Sequence, residues 1–404
     1  MPEIFLHGIE VLTLDSGRRP IQTVRSSVIG IVGTAPDADA AAFPLNTPVM
    51  IAGSRLDAAK LDTVGDGAGT LPDALDAIFD QAGAVVVVVR VDEDVDDAVT
   101  KANVIGGVDA QTGQYSGVHA LLAAASDLGV TPRILIAPGF TSERPEDLPD
   151  NPGTYLANPV VSELESIADR LRAVIVADGP DTNDADAQAY AGDFGNERIY
   201  VVDPGVKIDV DGVISTDPAS ARVAGLMARS DNERGFWWSP SNQEIYGIVG
   251  TSRAVDFTLG DANARANILN EANVATIIRQ NGYRLWGNRT LSADPLWAFL
   301  SHVRTHDMIL ESLLQAHLWA VDRNITKTYA EDVSEGVNAY LAHLAAQGAI
   351  SGGRCWLDPE LNTAEAMDAG KVYFDFDYGR YGVAEHVTFR ARVNNDYTVE
   401  AIFG

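Results

Sequence analysis

Ala84-Val85-Val86-Val87-Val88-Val89 is the longest purely apolar run in the chain, and it is followed by Arg90-Val91. It is far too short for a membrane-spanning helix, which needs roughly 20 apolar residues. Five successive β-branched valines suit a strand buried on both faces rather than one with a wet side. The run has companions at regular intervals. Val28-Ile29-Gly30-Ile31-Val32-Gly33 precedes it, and strands are expected at 28–33, 49–52, 84–91, 133–137, 173–177 and 199–202. Helical periodicity lies between several of them, at 71–81, 117–128, 160–172 and 184–191. Short apolar strands alternating with helices indicate an α/β fold with a mostly parallel, doubly wound sheet.

Downstream the pattern changes. Helices are expected at 217–230, 261–281, 295–322 and 331–347, and the end turns to strand again. Val372, Phe374 and Phe376 alternate with polar partners, as do Val387, Phe389, Ala391 and Val393. Asn394-Asn395-Asp396 reads as a turn, with Thr398 to Phe403 returning as a strand. An α+β C-terminal domain therefore follows the sheet. At the other end, Ile4, Leu6, Ile9, Val11 and Leu14 form an extended apolar segment. Asp15-Ser16-Gly17-Arg18-Arg19-Pro20 separates it from the first core strand. A lone strand cannot satisfy its own backbone groups and needs a sheet edge to join. Both ends thus read as extended strand arms available to other subunits, with Ile4, Leu6, Ile9 and Val11 at one end and Val387, Phe389, Val393 and Val399 at the other.

The 404 residues exceed the usual single-domain length, and 46% are apolar, enough for a sizeable core. The first residues show no secretion signal, and one cysteine, Cys355, permits no internal disulfide. Acids outnumber bases by 57 to 29, for a net charge of −28. Residues 1–34 are neutral, 35–220 carry −22 and 221–404 carry −6. An acidic region joined to a near-neutral remainder disfavours direct binding of nucleic acid, which wants a basic face.

Chemistry-bearing motifs are few. Val64-Gly65-Asp66-Gly67-Ala68-Gly69-Thr70 precedes a helix, as a phosphate cradle does. It lacks the Gly-Lys-Ser/Thr ending, and no strand stands directly before it. Leu71-Pro72 reads as a helix entry, so a structural loop is expected. Asp178 follows a strand end, and His302 and His306 share a helical face, but no Gly-x-Ser-x-Gly elbow or His-Glu-x-x-His motif accompanies them. Asp92-Glu93-Asp94 with Asp96-Asp97 lacks the glycine turn and distal glutamate of a calcium loop and reads as a solvated helix start. No catalytic residue, cofactor or metal is expected.

Several segments resemble the contractile-tail sheath family, of the shorter type found in temperate enterobacterial phages and R-type bacteriocins. Phe5-Leu6-His7-Gly8-Ile9-Glu10 with Arg18-Arg19-Pro20-Ile21 resembles its opening arm. Gly69-Thr70-Leu71-Pro72-Asp73-Ala74-Leu75 with Ile78-Phe79-Asp80-Gln81 resembles its early helix. Arg229-Ser230-Asp231 with Gly235-Phe236-Trp237-Trp238-Ser239-Pro240-Ser241-Asn242 is the most specific stretch, followed by Gly282-Tyr283-Arg284-Leu285-Trp286-Gly287-Asn288-Arg289-Thr290. His302-Val303-Arg304 with Asp307-Met308-Ile309 continues the likeness.

The resemblance implies a structural subunit that stacks as a helical homo-polymer around an inner tail tube protein. It implies arms that pair with neighbouring subunits, and contraction that drives the tube through the target envelope without nucleotide. Baseplate and tail terminator proteins are the further implied partners. The implied place is the virion tail, assembled in the bacterial host cytoplasm, with no membrane insertion. The implied division is an arm and tether at 1–27, an outer acidic body at 28–285, a tube-facing domain at 286–385 and an arm at 386–404. Tube contact is expected on Arg304, Arg323, Lys327, Glu331, Asp332 and Glu335. The alternatives are an α/β enzyme, which would need a clustered polar site, and a self-assembling surface-layer or binding protein.

Overall fold

The computed structural model describes residues 20–148, 151–210 and 212–403. The valine run lies in the strand Val85–Val91, and its side chains alternate between two cores. Val86 and Val88 join one apolar cluster, while Val87, Val89 and Val91 join the other. Burial on both faces is why the run has no polar alternation.

The sheet has eight strands, in the order Tyr283–Trp286, Val274–Arg279, Ile199–Val202, Val174–Asp178, Ile134–Ile136, Ile29–Thr34, Val85–Val91, Pro48–Ala52. The six inner strands are parallel, and each outer strand is antiparallel to its neighbour. Helices Leu71–Gln81 and Ser220–Arg234 cover one face. Helices Asp97–Ile105, Pro159–Leu171, Asp184–Ala191 and Arg265–Glu271 cover the other, together with a 3-10 turn and short helix over 117–128. Layers on both faces of a mainly parallel sheet are the doubly wound arrangement. The first two helices approach closely because Gly225 has no side chain. A Cβ there would lie 2.8 Å from the Ile78 carbonyl oxygen.

A third apolar cluster lies beyond the sheet. Helices Leu300–Ala316 and Lys327–Ala346 pack there with a two-stranded antiparallel sheet, Gly352–Leu357 against Phe374–Gly379. Phe236, Met308, Ile309, Tyr340, Leu341 and Ile350 form its centre.

Three expectations change. The helix expected over 261–281 stops at Glu271, and Val274–Arg279 is a buried strand. Asn273 turns the chain at φ 62°, and the strand that follows, rich in β-branched residues, pairs parallel with Ile199–Val202 through Val274 and Ala275. Tertiary burial outweighs the apparent helical spacing. The returning strand expected at 398–403 is instead helix Asp396–Phe403, which holds Val399. The strand expected over Val387, Phe389, Ala391 and Val393 is not formed: residues 380–394 hold no regular element and pair with no strand of the described chain. Ile4, Leu6, Ile9 and Val11 lie outside the described residues.

Candidate assembly interface

Open α/β sheets bind ligands beyond the strand C-termini, where the strand order reverses. Here that point lies between Ile29–Thr34 and Ile134–Ile136, and the chain itself fills it. The Thr70 N–H donates to the Thr34 carbonyl at 2.9 Å, and the Thr34 N–H donates to Thr70 Oγ1 at 3.1 Å. Gly69 permits the approach: its φ is 87°, and a Cβ would meet the Thr34 oxygen at 2.5 Å. The glycine-rich loop does not offer its N–H groups to an anion either. Asp62 accepts from Gly65 at 2.6 Å and from Gly67 at 2.8 Å, and these bonds hold its carboxyl below the usual range.

The residues weighed for catalysis have structural partners. Asp178 is buried and accepts from the Ser220 N–H at 2.8 Å and the Ser220 hydroxyl at 2.6 Å, so it caps the helix starting there. Burial pushes its carboxyl up to about 6. His306 Nδ1 lies 2.7 Å from the Tyr378 hydroxyl, and His302 Nε2 lies 3.0 Å from the Tyr381 carbonyl. Burial lowers both imidazoles below their ordinary value. These two histidines clasp the C-terminal segment to its own subunit. Asp96 caps the helix Asp97–Ile105, accepting from the Ala98 N–H at 2.9 Å. Among the described residues no group of three or more His, Cys, Asp or Glu converges on a metal position. No described helix is long and apolar enough to cross a membrane.

A seam of ion pairs joins the helix Leu300–Ala316 to the α/β body. Arg304, Asp307 and Glu311 share one helical face. Arg304 Nη1 donates to Asp231 at 2.7 Å, Arg198 Nη1 to Asp307 at 2.6 Å, and Arg133 Nη2 lies 3.0 Å from Glu311. Arg304, Asp307 and Arg133 are all buried. Arg304 was expected at the tube-facing surface, and this is a correction. Its guanidinium is committed inside the subunit, and Nη2 also donates to the Ser26 carbonyl at 3.1 Å.

That last bond belongs to the tether. The Val24 N–H donates to Ser312 Oγ at 3.1 Å, and Thr23 Oγ1 lies 3.1 Å from the Tyr340 hydroxyl. Ile21 and Val24 pack on the third apolar cluster. Residues 21–26 are therefore docked on the two C-terminal helices rather than hanging free. Sequence reading missed this because no local pattern marks a docked extended segment.

The two-stranded sheet has unlike edges. Asn338 Oδ1 accepts the Cys355 N–H at 2.7 Å, and its amide donates to the Cys355 carbonyl at 3.0 Å. One side chain thus takes the place of a further strand beside Gly352–Leu357. The outer edge of Phe374–Gly379 pairs with no strand among the described residues. The chain continues from this edge. Arg380 Nη2 donates to the Leu296 carbonyl at 3.1 Å and Arg289 Nε to Glu385 at 2.7 Å. Past Glu385 the residues are exposed, with Val387, Phe389 and Val393 at 64%, 92% and 94%.

Of the expected tube contacts other than Arg304, all five are exposed. Arg323 lies over the Trp319 ring at 5.2 Å, and Lys327 pairs with Glu331 at 3.6 Å. Asp332 and Glu335 extend the same acidic stretch of helix. Leu314, Leu318 and Val321 stand exposed beside them. Leu313, one residue away from Leu314, packs on the third cluster instead.

Three family models match the chain: the phage tail sheath protein central domain over 113–291, the phage tail sheath C-terminal domain over 292–394, and the tail sheath protein Gp18 domain III N-terminal region over 26–91. A putative prophage major tail sheath protein of Pseudomonas aeruginosa (strain UCBPP-PA14) is 42% identical, covering 98% of this chain and 99% of that protein. The tail sheath protein of Escherichia phage P2 is 37% identical, covering 98% and 97%. The fold matches the helical sheath of the anti-feeding prophage in its contracted state, with a TM-score of 0.68 at 19% identity, over 97% of this chain and all of that one. With such relatives matched end to end, the chain belongs to the phage tail sheath family.

Proposed function

We propose that this chain polymerises as a helical cylinder around an inner tail tube and contracts to drive that tube through a target cell envelope. The observation that carries the reading is the C-terminal segment. Residues 386–394 form no regular element of their own, are exposed and are apolar at alternate positions, and they leave a sheet whose edge strand, Phe374–Gly379, has an open side. An exposed segment of alternating apolar residues and an open edge in one chain are the two halves of strand addition between copies. Residues 1–14 supply a second donor of the same pattern.

The division at 1–27, 28–285, 286–385 and 386–404 follows from this reading, with the acidic body outward and the helical domain toward the tube. The ion-pair seam supports body and tube-facing domain moving together, leaving the arms to accommodate displacement. Tube contact falls on Arg323, Lys327, Glu331, Asp332 and Glu335, with Leu314, Leu318 and Val321 adding apolar area. Baseplate and terminator proteins close the polymer at its ends. The place of action is the virion tail after assembly in the host cytoplasm. The subunit performs no catalysis: its switch-point crevice is filled by its own loop, and Asp178, His302 and His306 are engaged structurally.

The test is electron microscopy of purified protein. The parent is expected to form ordered hollow tubes, and deletion of residues 1–14 or Pro at both Phe389 and Val393 is expected to leave soluble monomers. Long ordered tubes from both variants would overturn the pairing reading. A saturable hydrolysis rate that survives repurification and is lost on Asp178→Asn or His302→Ala would overturn the non-catalytic one.

A further inference from the structure

We infer that the tip of the hairpin formed by strands Val206–Val210 and Val213–Asp217 seats in a groove at the edge of the large sheet of a second copy of this chain. The inference rests on the proposed helical polymer and names one contact between its subunits, away from both chain ends.

The hairpin projects without cover. A third strand, Gly250–Thr251, pairs only with Lys207 and Val206, so the residues beyond Lys207 stand as a two-stranded ribbon. Three further residues carry the ribbon about 10 Å past that support, at roughly 3.4 Å per residue. The Gly212 N–H donates to Asp209 Oδ1 at 2.8 Å and closes the tip. Val210 and Val213 stand opposite each other, and with Ile214 they are 58%, 69% and 62% exposed. The outer edge of Val213–Asp217 pairs with no strand among the described residues. Lysine or proline commonly guards such an edge, and Val213-Ile214-Ser215-Thr216-Asp217 has neither. An apolar ribbon of this kind is marginal alone in water and marks a contact surface. Over 206–217 the sequence carries Asp209, Asp211 and Asp217 against one base, Lys207.

The groove lies on the last two strands of the large sheet, Val274–Arg279 and Tyr283–Trp286. It has a volume of about 340 Å³ and is lined by Phe257, Leu259, Ile278 and Trp286, with Arg284 beside them. The Phe257 and Trp286 rings meet edge to face at 4.9 Å. Arg284 donates to the Gln280 carbonyl at 3.0 Å and the Asn242 carbonyl at 2.8 Å, and it forms no ion pair among the described residues. Arg279, next to the lining residue Ile278, stands over the Tyr283 ring at 5.7 Å and forms none either. No acidic side chain lines the groove. On a chain of net charge −28, an acidic tip is repelled by most of the surface. An apolar trough beside two arginines without carboxylate partners is its complement.

In the chain itself the tip is exposed, so it does not fill its own groove. Tip and groove are different surfaces, and each copy can offer one to each of two neighbours. Such a heterologous contact propagates as a ring or helix instead of closing as a dimer.

The experiment mixes two full-length variants, Val213→Cys and Leu259→Cys, under polymerising conditions, then oxidises and reads a non-reducing gel. Both positions are exposed, and the native Cys355 is buried. The expected result is a disulfide-linked dimer in the mixture, lost when Val95→Cys, exposed elsewhere on the surface, replaces Val213→Cys. The paired variant Val213→Asp with Ile214→Asp is expected to melt as the parent monomer does and to raise the concentration needed for polymerisation at least about tenfold, or about 1.4 kcal/mol. Parental polymerisation by that variant overturns the contact, as does a cross-link no stronger than the Val95→Cys control. A cross-link formed within single dilute chains carrying both cysteines assigns the groove to the chain's own hairpin and overturns it equally. Ordered polymers without the cross-link remove this contact and leave the helical polymer standing. Cross-linked dimers that never extend into ordered polymers support the contact and count against the helical polymer, so the two readings fail separately.

Discussion

Replacing Arg304 by Ala isolates the seam that ties the C-terminal helices to the α/β body. The Arg304 side chain is 4% exposed and that of Asp231 1%. Removing the cation leaves a buried carboxylate without its partner, a loss of about 3–5 kcal/mol. The Ser26 carbonyl loses a donor as well. Spread over an unfolding entropy of roughly 2 cal/mol/K per residue, the loss lowers the Tm of the monomer by about 4–6 °C. The assay is calorimetric melting of non-polymerised protein, run beside Asp231→Leu, Arg304→Met and the double variant Arg304→Met with Asp231→Leu. The double variant is expected to recover much of the single-variant loss, because replacing both partners by apolar groups removes the unpaired charge. A Tm within about 1 °C of the parent for Arg304→Ala would refute the seam. Loss of tube co-assembly at unchanged Tm would return Arg304 to the surface where sequence reading placed it.

Asp178 gives a pH signature. Its folded pKa of about 6 lies above the ordinary 3.8, so the proton is held more tightly in the folded chain. Its contribution to stability is full below about pH 4 and is lost as pH rises through 6. The Tm difference between the parent and Asp178→Asn should therefore change across pH 4–6, and a constant difference would sink this account. Charge reversal at Arg323, Lys327, Glu331 and Asp332 is expected to abolish co-sedimentation with tubes, in a salt-sensitive way, while leaving sheath polymers intact; unchanged co-sedimentation places the contact elsewhere. Inserting three residues after Ser16 adds roughly 10–11 Å of slack outside the docked segment 21–26, at a small entropic cost. Assembly should survive while triggered contraction weakens, and full contraction at the parental rate would show that the tether carries no tension. Ser312→Ala should make bonds around Arg25 more protease-sensitive by removing the acceptor for the Val24 N–H, and an unchanged cleavage rate would show that this bond does not hold the tether.

The parallel sheet was legible in the sequence because each inner strand is a short, β-branched run bounded by turn residues. Such runs have one low-energy use in water, burial on both faces. The helices Leu71–Gln81 and Asp184–Ala191 were legible to the residue because caps and Pro are local signals. The motifs that carry the family likeness lie on the seam and sheet edge, at Asp231, Gly235–Asn242 and Tyr283–Gly287, where backbone and charge partners constrain residue type. What tertiary structure alone decided are the choices between equal local readings. Val274 to Ile278 fits a helix or a strand until Ile199–Val202 offers an edge. Leu313 and Leu314 are alike in sequence, yet one is packed on the third cluster and the other is exposed. Arg304 reads as a surface cation until Asp231, 73 residues earlier, is brought against it. Pairings between residues so distant depend on how the whole chain packs, and no local pattern encodes them.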